Sequence, residues 1–259
     1  MQTSPEIAGR PSDRGCAAGI VFALAVEADA FDRLAADRVE TRAADLTILE
    51  GRVADRRVAW CVSGAGRAAA TRAAERLVAG HRPRLLVSAG FAGGLDPSLA
   101  RGSVVRPTRV VTATDAATAA DSLALLPAGD AAFGQAAPLT IVTVDGIQAT
   151  GGAKRALADR TGGQLVDMET HAVARVAAAA GLPCAALRVI SDDAGQDLPP
   201  EVERLARPQP PLRRLGAALA AIGRRPGAAV DLWRLYEHAV IDARTLAAAL
   251  VELCRALPA

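Results

Sequence analysis

The chain has 259 residues, of which 51% are hydrophobic and only 3% aromatic, and its formal net charge at pH 7 is +2. That length is enough for one large α/β domain or two small ones with a sizeable core. The small net charge and the scarcity of aromatic side chains provide no general attraction to nucleic acid, so we expect no nucleic-acid partner.

Four cysteines lie far apart in the sequence and form no C-x-x-C pair: Cys16, Cys61, Cys184 and Cys254. This spacing predicts neither a zinc site nor a disulfide framework, and it fits a reducing cytoplasm. No apolar run approaches the length of a transmembrane helix. The run from Cys16 to Val26 has the shape of a secretory signal, but Glu27 and Asp29 follow it at once, and it also makes a good first strand.

The first quarter of the chain alternates apolar runs with alanine-rich segments. Residues 1–15 are polar and are predicted to be disordered. A buried strand is predicted over Gly19–Val26, ending at Glu27, and a helix is predicted over Ala28–Asp37. Two further strands are predicted to form a hairpin with Gly51 near its turn: Leu46–Leu49 and Arg57–Val62.

A glycine turn follows the second of these hairpin strands. Ser63-Gly64-Ala65-Gly66-Arg67 leads into a predicted helix that ends near Ala79, which matches the pattern G-x-G-x-x-[GA]. A dinucleotide site would also need an acidic residue at the end of the next strand, Leu85–Ser88, but the first acid is Asp96. NAD is therefore not favoured. The turn remains a candidate anion site, with backbone N–H groups and Arg67 as donors.

Several more strands and helices are predicted in the middle of the chain. Gly90, Gly93 and Gly94 form a second glycine loop after a strand, where a ligand can approach the backbone closely. Residues 113–137 are small and polar, which is typical of a surface excursion. The remaining predicted elements are two short strands, a longer strand and a helix: Gly102–Val105, Arg109–Thr112, Leu139–Val144 and Lys154–Arg160.

Two acidic segments stand one helix and one strand apart. Glu169 lies at the start of an alanine-rich helix, and Asp192 follows the apolar run Pro183–Ile190. If that run is a buried strand, Asp192 lies at its carboxyl end, where ligands bind in open α/β sheets. The two carboxylates would then meet in one cleft. The alternative is a helix N-terminus stabilised by acids, followed by an ordinary strand exit.

The composition changes near the C-terminus. Residues 199–214 hold five prolines and several arginines, and two alanine- and leucine-rich helices are predicted after them, Leu215–Ile222 and Ala229–Leu257. Because strands alternate with helices over the rest of the chain, we expect a mixed or parallel sheet with helices on both faces.

Five segments of the chain resemble, in this order, motifs of the nucleoside phosphorylase/nucleosidase superfamily: Ala23–Glu27, Ser63–Arg67, Ala89–Leu95, Val166–Glu169 and Arg188–Asp192. The methylthioadenosine/S-adenosylhomocysteine nucleosidases are similar in these motifs. Arg188–Pro199 and the tail Arg224–Leu235 are more similar to the hopanoid-associated phosphorylases, which release adenine from adenosylhopane.

The resemblance implies a fold and a division of the chain. The fold would be a single-domain, three-layer α/β phosphorylase fold, with a mixed central sheet flanked by helices and a C-terminal helical extension. Residues 1–17 would be a disordered tail, residues 18–222 the phosphorylase-like domain, and residues 223–259 a helical extension that packs on it.

The resemblance also implies roles for individual residues. Asp192 would protonate or hydrogen-bond N7 of the leaving purine, and Glu27 would activate water. Glu169 would hold the ribose 2′- and 3′-hydroxyls. The other implied substrate-binding residues are Met168 on the sugar, Ser191 beside Asp192, the Ile147 and Gln148 backbone at the adenine edge, Asp167 and Phe91. Two of these depart from the nucleosidase pattern, since Phe91 replaces a serine and Asp167 replaces a glutamate.

The resemblance leaves the nucleophile open. With water, Glu27 is the base and the enzyme is a hydrolase. With inorganic phosphate as co-substrate, the two glycine segments would hold the anion through Gly64, Arg67, Gly90 and Ala92. The hopanoid resemblance favours phosphorolysis of adenosylhopane, with no cofactor and no metal. The alternatives are a methylthioadenosine/S-adenosylhomocysteine-type nucleosidase and, in another class, a non-catalytic purine-binding module.

The partners implied are a small-molecule nucleoside, with adenosylhopane as a lipid-linked example, and further copies of the chain in a homodimer or higher homo-oligomer. Four residues of the tail are candidates for peripheral contact with the inner face of the membrane: Leu232, Trp233, Leu235 and Tyr236. The alternative is that they pack on the domain or on a second subunit. A cytoplasmic location is expected.

Overall fold

The structure is a computed structural model that describes residues 15–43, 45–113, 122–126, 138–198 and 227–258, with the backbone alone described over 227–235. Eleven strands of the described chain form one sheet: β1 (Ala18–Phe22), β2 (Ala36–Ala43), β3 (Leu46–Val53), β4 (Arg56–Val62), β5 (Leu86–Gly94), β6 (Val104–Val105), β7 (Arg109–Thr112), β8 (Leu123–Ala124), β9 (Thr140–Thr143), β10 (Leu165–Asp167) and β11 (Cys184–Asp192). The described helices are α1 (Ala25–Asp32), α2 (Arg67–His81), α3 (Gly151–Thr161), α4 (Thr170–Ala179) and α5 (Gly227–Ala256).

The sheet is mixed, and its strand order is β2-β3-β4-β1-β5-β10-β9-β7-β8, with β11 pairing with β5 and β6. Strands β4, β1, β5 and β11 are mutually parallel. Strand β5 pairs with β1 over Leu86–Ala89 and then with β10, antiparallel, at Gly93 and Gly94. The carboxyl end of β5 therefore lies between the ends of β1, β10 and β11, which is where a cleft is expected in an open α/β sheet.

Helices cover both faces of this sheet. On one face, α2 buries its apolar side against α4 and the strands, with Ala70, Ala73, Ala74 and Leu77 at helical spacing. On the other face, Phe31 of α1 packs edge-on against Trp60 of β4 at 5.4 Å, and Leu246 and Leu250 of α5 join the same cluster. The three-layer α/β fold predicted from the sequence is confirmed.

The N-terminal elements begin and end elsewhere than predicted. Strand β1 ends at Phe22, and Glu27 lies in the first turn of α1 rather than at a strand end. The predicted helix to Asp37 is wrong at its end, because residues 36–43 form strand β2, most of whose residues are exposed and show no apolar alternation. The hairpin turn lies at Ala54 and Asp55, which have positive φ, and not at Gly51.

The second glycine segment is not a loop. Gly90, Gly93 and Gly94 belong to β5, where they pair with β11 and β10. A Cβ at Gly93 would lie 3.1 Å from Asp192 Oδ2, so the small residue lets the carboxylate approach the strand. The glycines thus do not form a flexible turn. They leave room on strand β5 for the side chains of other elements to approach it.

The ends of the chain are described in part. Residues 1–14 and the predicted helix Leu215–Ile222 lie outside the described residues, as do most of residues 113–137 and the boundary at 222. Cys16 and Ala17 are buried, next to β1. Helix α5 packs on α1 and β11. In the described part of the chain, no helix is long and apolar enough to cross a membrane.

Candidate active site

A cavity of about 250 Å³ lies at the carboxyl ends of the central strands. It is lined by residues that follow or end β1, β5, β9, β10 and β11. Both predicted catalytic residues, Glu27 and Asp192, line it. So do the predicted substrate-binding residues: Phe91, Ile147, Gln148, Asp167, Met168, Glu169 and Ser191. The lining therefore combines residues far apart in the chain, from Ala23 to Leu198, and their roles in the cavity stay predictions.

Glu27 is held by three backbone N–H groups. Its Oε2 accepts from Ala23 at 3.0 Å and from Leu24 at 2.8 Å, and its Oε1 accepts from Phe91 at 2.9 Å. The carboxyl group is only 3% exposed, and this burial raises its pKa, while these hydrogen bonds and the Arg188 charge act in the opposite direction. A carboxylate whose pKa is raised is a stronger base than a free one.

Glu169 lies directly before α4 and reaches the glycine turn before α2. Its Oε1 accepts from the Gly66 N–H at 2.7 Å. Burial, followed by the neighbouring charge of Asp167, raises the pKa of Glu169 to about 7. The Gly66 N–H, which was predicted to bind an external anion, thus already donates a hydrogen bond to a side chain of the same protein.

Asp192 is paired with a buried cation. Its Oδ2 lies 2.5 Å from Nζ of Lys154, which α3 places there with a fully buried side chain. Its Oδ1 accepts from the Ser191 hydroxyl at 2.5 Å. Ser191 therefore contacts Asp192 directly, and its predicted support of this loop stays a prediction. No role was predicted for Lys154.

Asp167 lines the cavity, and its carboxylate accepts hydrogen bonds from three neighbouring residues. Its Oδ2 accepts from Arg188 at 2.7 Å and from the Thr170 N–H at 2.8 Å, and its Oδ1 accepts from Thr143 Oγ1 at 2.7 Å. These bonds use its carboxylate to orient Arg188 and the start of α4, and its predicted substrate-binding role stays a prediction. Arg188 is 2% exposed, and its Nε has no partner among the described residues.

The predicted phosphate-binding set is not brought together. Ala92 lines the cavity, whereas Gly64, Arg67 and Gly90 do not. Arg67 Nε donates to Asp145 Oδ1 at 2.7 Å, on the outer side of the turn. A Cβ at Gly90 would lie 2.7 Å from Glu27 Oε1, so that position serves the close approach of Glu27. Over the described residues, the lining of the cavity contains no arginine or lysine.

The remaining lining is apolar and belongs to two regions of the cavity. Met168, Val144 and Val166 pack together beside Glu169. Phe91 and Leu24 lie with Glu27 near the end of β1, and Leu24 is 40% exposed. The apolar surface therefore extends from the carboxylates toward the protein exterior.

A larger cavity of about 610 Å³ lies against α2 and α4. Its lining includes Glu75, His171 and Arg175, but none of the three carboxylates described above. Because those carboxylates meet at the strand ends, the smaller cavity is the candidate active site.

A sequence model of the phosphorylase superfamily matches residues 17–209, which include every segment that lines the cavity. The chain belongs to this superfamily. It is an enzyme of the class that cleaves nucleosides.

Two curated relatives are 5′-methylthioadenosine/S-adenosylhomocysteine nucleosidases. That from Haemophilus influenzae is 32% identical over 195 residues, covering 67% of this chain and 85% of the relative. That from Actinobacillus succinogenes is 30% identical over 195 residues, covering 67% and 84%.

Solved structures of the superfamily share the fold. An S-adenosylhomocysteine nucleosidase from Streptococcus pyogenes has a TM-score of 0.69 at 20% identity, covering 95% of this chain and 98% of that chain. The futalosine hydrolase of Helicobacter pylori has a TM-score of 0.63 at 18% identity, covering 91% and 97%. At these identities the likeness concerns the fold alone.

Two buried cations of the site received no role from the sequence alone. Arg188 interrupts an apolar strand, and a charge in such a run requires a buried partner, so its position was a readable signal. Lys154 stands in a polar helix, where nothing in the spacing marks it as buried. Its position next to Asp192 depends on contacts between α3 and the segment that follows β11.

Proposed function

We propose that the chain is a nucleosidase that hydrolyses the N-glycosidic bond of a 5′-substituted adenosine and releases adenine. The substrate class is that of the curated relatives, methylthioadenosine and S-adenosylhomocysteine. The observation that carries the proposal is the meeting of Glu27, Glu169 and Asp192 in a cavity whose described lining has no cation.

Cleavage of such a bond passes through an oxocarbenium-like sugar, as in glycoside hydrolysis. Asp192 would place a proton on the purine N7 as the base leaves. Glu169 would accept hydrogen bonds from the ribose 2′- and 3′-hydroxyls and add negative charge near the developing cation. Glu27 would take a proton from the attacking water. The charge of Arg188 lowers the pKa of Glu27 against the effect of burial, and this favours the carboxylate that a base requires.

The electrostatics of the cavity support water rather than phosphate as the nucleophile. Both candidate anion-binding segments already donate a backbone N–H to a carboxylate, from Phe91 to Glu27 and from Gly66 to Glu169. A phosphate dianion placed there would face two like charges. The phosphorolysis favoured in the sequence analysis finds no support among the relatives, which are nucleosidases, so we propose its alternative.

The 5′ side of the cavity favours an apolar substituent. Phe91 and Leu24 provide apolar surface beside Glu27. A methylthio group fits this lining. Adenosylhopane, the substrate favoured in the sequence analysis, is not supported by the relatives and enters only as a test substrate. A homo-oligomer, a peripheral membrane contact of the tail and a cytoplasmic location stay predictions.

The test is adenine release, measured by chromatography, from methylthioadenosine, S-adenosylhomocysteine, adenosine and adenosylhopane, each with and without phosphate. We expect release from the 5′-thio substrates at a rate that phosphate does not change. Release only from adenosylhopane, or only with phosphate, would contradict the proposal. Binding of these nucleosides without any release would favour the purine-binding module.

A further inference from the structure

Lys154 is the sole lysine of the chain, among 30 lysines and arginines in total. Every other basic position uses arginine, including the buried Arg188 and the surface of the helices. Lysine and arginine are interchangeable on a solvated surface but not where a compact charge with three donors is needed. The position of this one lysine is therefore informative.

The Lys154 ammonium is fully buried, and each of its three donors has a partner. Nζ lies 2.5 Å from Asp192 Oδ2, 2.6 Å from the Asp193 carbonyl oxygen and 3.1 Å from the Gln196 carbonyl oxygen. The two carbonyls belong to the segment that follows β11. The lysine therefore fixes both the Asp192 side chain and the backbone that continues from it, at one edge of the cavity.

We propose that Lys154 is the positioning residue of the general acid, and that it acts by stabilising the Asp192 carboxylate formed when the proton passes to the purine. The inference rests on the proposed function. Before the transfer, the proton is bound to the Asp192 carboxyl group, which donates a hydrogen bond to the lone pair of N7. After the transfer, N7 holds the proton, the bond from C1′ to N9 breaks toward the base, and Asp192 is left as the anion that Lys154 faces.

This arrangement stabilises the transition state more than the bound substrate. A carboxyl group that still holds its proton carries no net charge, so a neighbouring ammonium gains little from it. In the transition state the carboxylate develops its charge beside Nζ, and the attraction grows. Interactions that strengthen only in the transition state raise kcat and leave KM unchanged.

The first experiment compares Lys154→Met with wild type on methylthioadenosine. Methionine keeps the length of the side chain and removes the charge. We expect kcat to fall about 100-fold, the range of a positioned acid, with KM not raised. Arg155→Met is the matched control, since it removes a cation one residue away whose side chain is exposed, and we expect wild-type kinetics from it.

The second experiment measures binding, by calorimetry, of two 5′-methylthio ligands that differ in the atoms at ring positions 7 and 9. A 9-deazaadenine analogue carries a hydrogen on N7 and therefore needs the Asp192 carboxylate as acceptor. A 7-deazaadenosine analogue carries carbon at that position and makes no such bond. We expect Lys154→Met to weaken the first ligand about 30-fold, as for a hydrogen bond to a charged group, and to leave the second unchanged.

The outcomes separate the two proposals. If the variant loses both ligands equally, or if KM rises while kcat is kept, Lys154 only supports the local structure and the inference is overturned. If wild type binds neither ligand and releases no adenine, the proposed function fails, and the role of Lys154 in it fails as well. Melting temperatures of all variants, measured alongside, show that the comparison is made on folded protein.

Discussion

Three carboxylates share the cavity, and their surroundings differ enough to give them different chemistry. Glu27 is buried among backbone N–H groups, Glu169 borders the cavity beside Asp167, and Asp192 is paired with Lys154. Burial raises the pKa of Glu27 and, with the charge of Asp167, raises the pKa of Glu169 to about 7. Titratable groups whose environments differ in this way can serve as base, ribose ligand and acid in one site.

The pKa of Glu169 predicts how activity depends on pH. Below about 7 Glu169 is protonated and is a weaker acceptor for the ribose hydroxyls, so kcat/KM should rise as the pH passes through that value. The quantity kcat/KM reports groups of the free enzyme. In Glu169→Gln we expect this rise near pH 7 to be lost and the plateau to fall about 100-fold. An unchanged rise in the variant would assign it to another group.

Asp192 should be essential for activity and also matter for stability. We expect Asp192→Asn to lower adenine release by about 1,000-fold, because asparagine cannot supply the proton. The change also leaves buried Lys154 without its anion, so the free energy of unfolding should fall by about 3 kcal/mol.

Thermal melting and product chromatography measure both effects of Asp192→Asn. The double variant with Lys154→Met is the control, since it should regain stability without regaining activity. Near wild-type activity of Asp192→Asn would refute the assignment of the acid.

At the residue scale, the sequence was sufficient for the side chains that line the cavity and insufficient for those behind them. Glu27, Glu169 and Asp192 stand in motifs that can be read locally. The hydrogen bonds of Asp167 could not be predicted, because its partners, Thr143 and Arg188, come from other strands. A residue whose role depends on what packs behind it cannot be assigned from its own neighbours in the chain.

Among the elements, β5 is the one that assembles the site, because its glycines allow side chains from α1 and β11 to approach it. A methyl group at Gly90 would lie 2.7 Å from Glu27 Oε1 and would displace the carboxylate. We therefore expect Gly90→Ala to lower kcat at least about 100-fold. Gly80→Ala is the control, since nothing lies within 4 Å of a Cβ there and alanine favours the helix. Wild-type kinetics in Gly90→Ala would contradict this account of β5.

Helix α5 closes one face of the sheet, and its described half uses its apolar residues for that packing. Leu250 is fully buried against the cluster that contains Phe31 and Trp60. We expect Leu250→Ala to lower the free energy of unfolding by about 3 kcal/mol without raising KM. Ile241→Ala, whose side chain is 55% exposed in the same helix, should change stability little. Chemical denaturation compares the two, and equal effects would mean that α5 is not packed as described.

At the element scale, the sequence predicted what local pattern determines. The glycine turn, α2 and the strand β11 were confirmed, because buried runs and helix starts have local signals. Strand β2 was missed because its polar residues pair at the sheet edge with few buried side chains. The glycines of β5 were taken for a loop, since their pairing with two distant strands leaves no trace in the local sequence.

The molecule as a whole has a superfamily fold in which the candidate anion-binding segments bind carboxylates of the protein itself. Carboxylates from α1 and from the start of α4 occupy the backbone N–H groups of β5 and of the glycine turn. The described lining of the cavity therefore carries carboxylates and no arginine or lysine. Such a cavity suits a developing sugar cation and a water molecule, and it disfavours a phosphate dianion.

The most direct test of this account is the identity of the sugar product. Wild-type protein is incubated with methylthioadenosine in phosphate buffer, and the sugar is identified by mass spectrometry. The account predicts free 5-methylthioribose, formed at the same rate when phosphate is replaced by another buffer. Accumulation of 5-methylthioribose 1-phosphate would show that phosphate is the nucleophile and would contradict the assignment of Glu27 as the base.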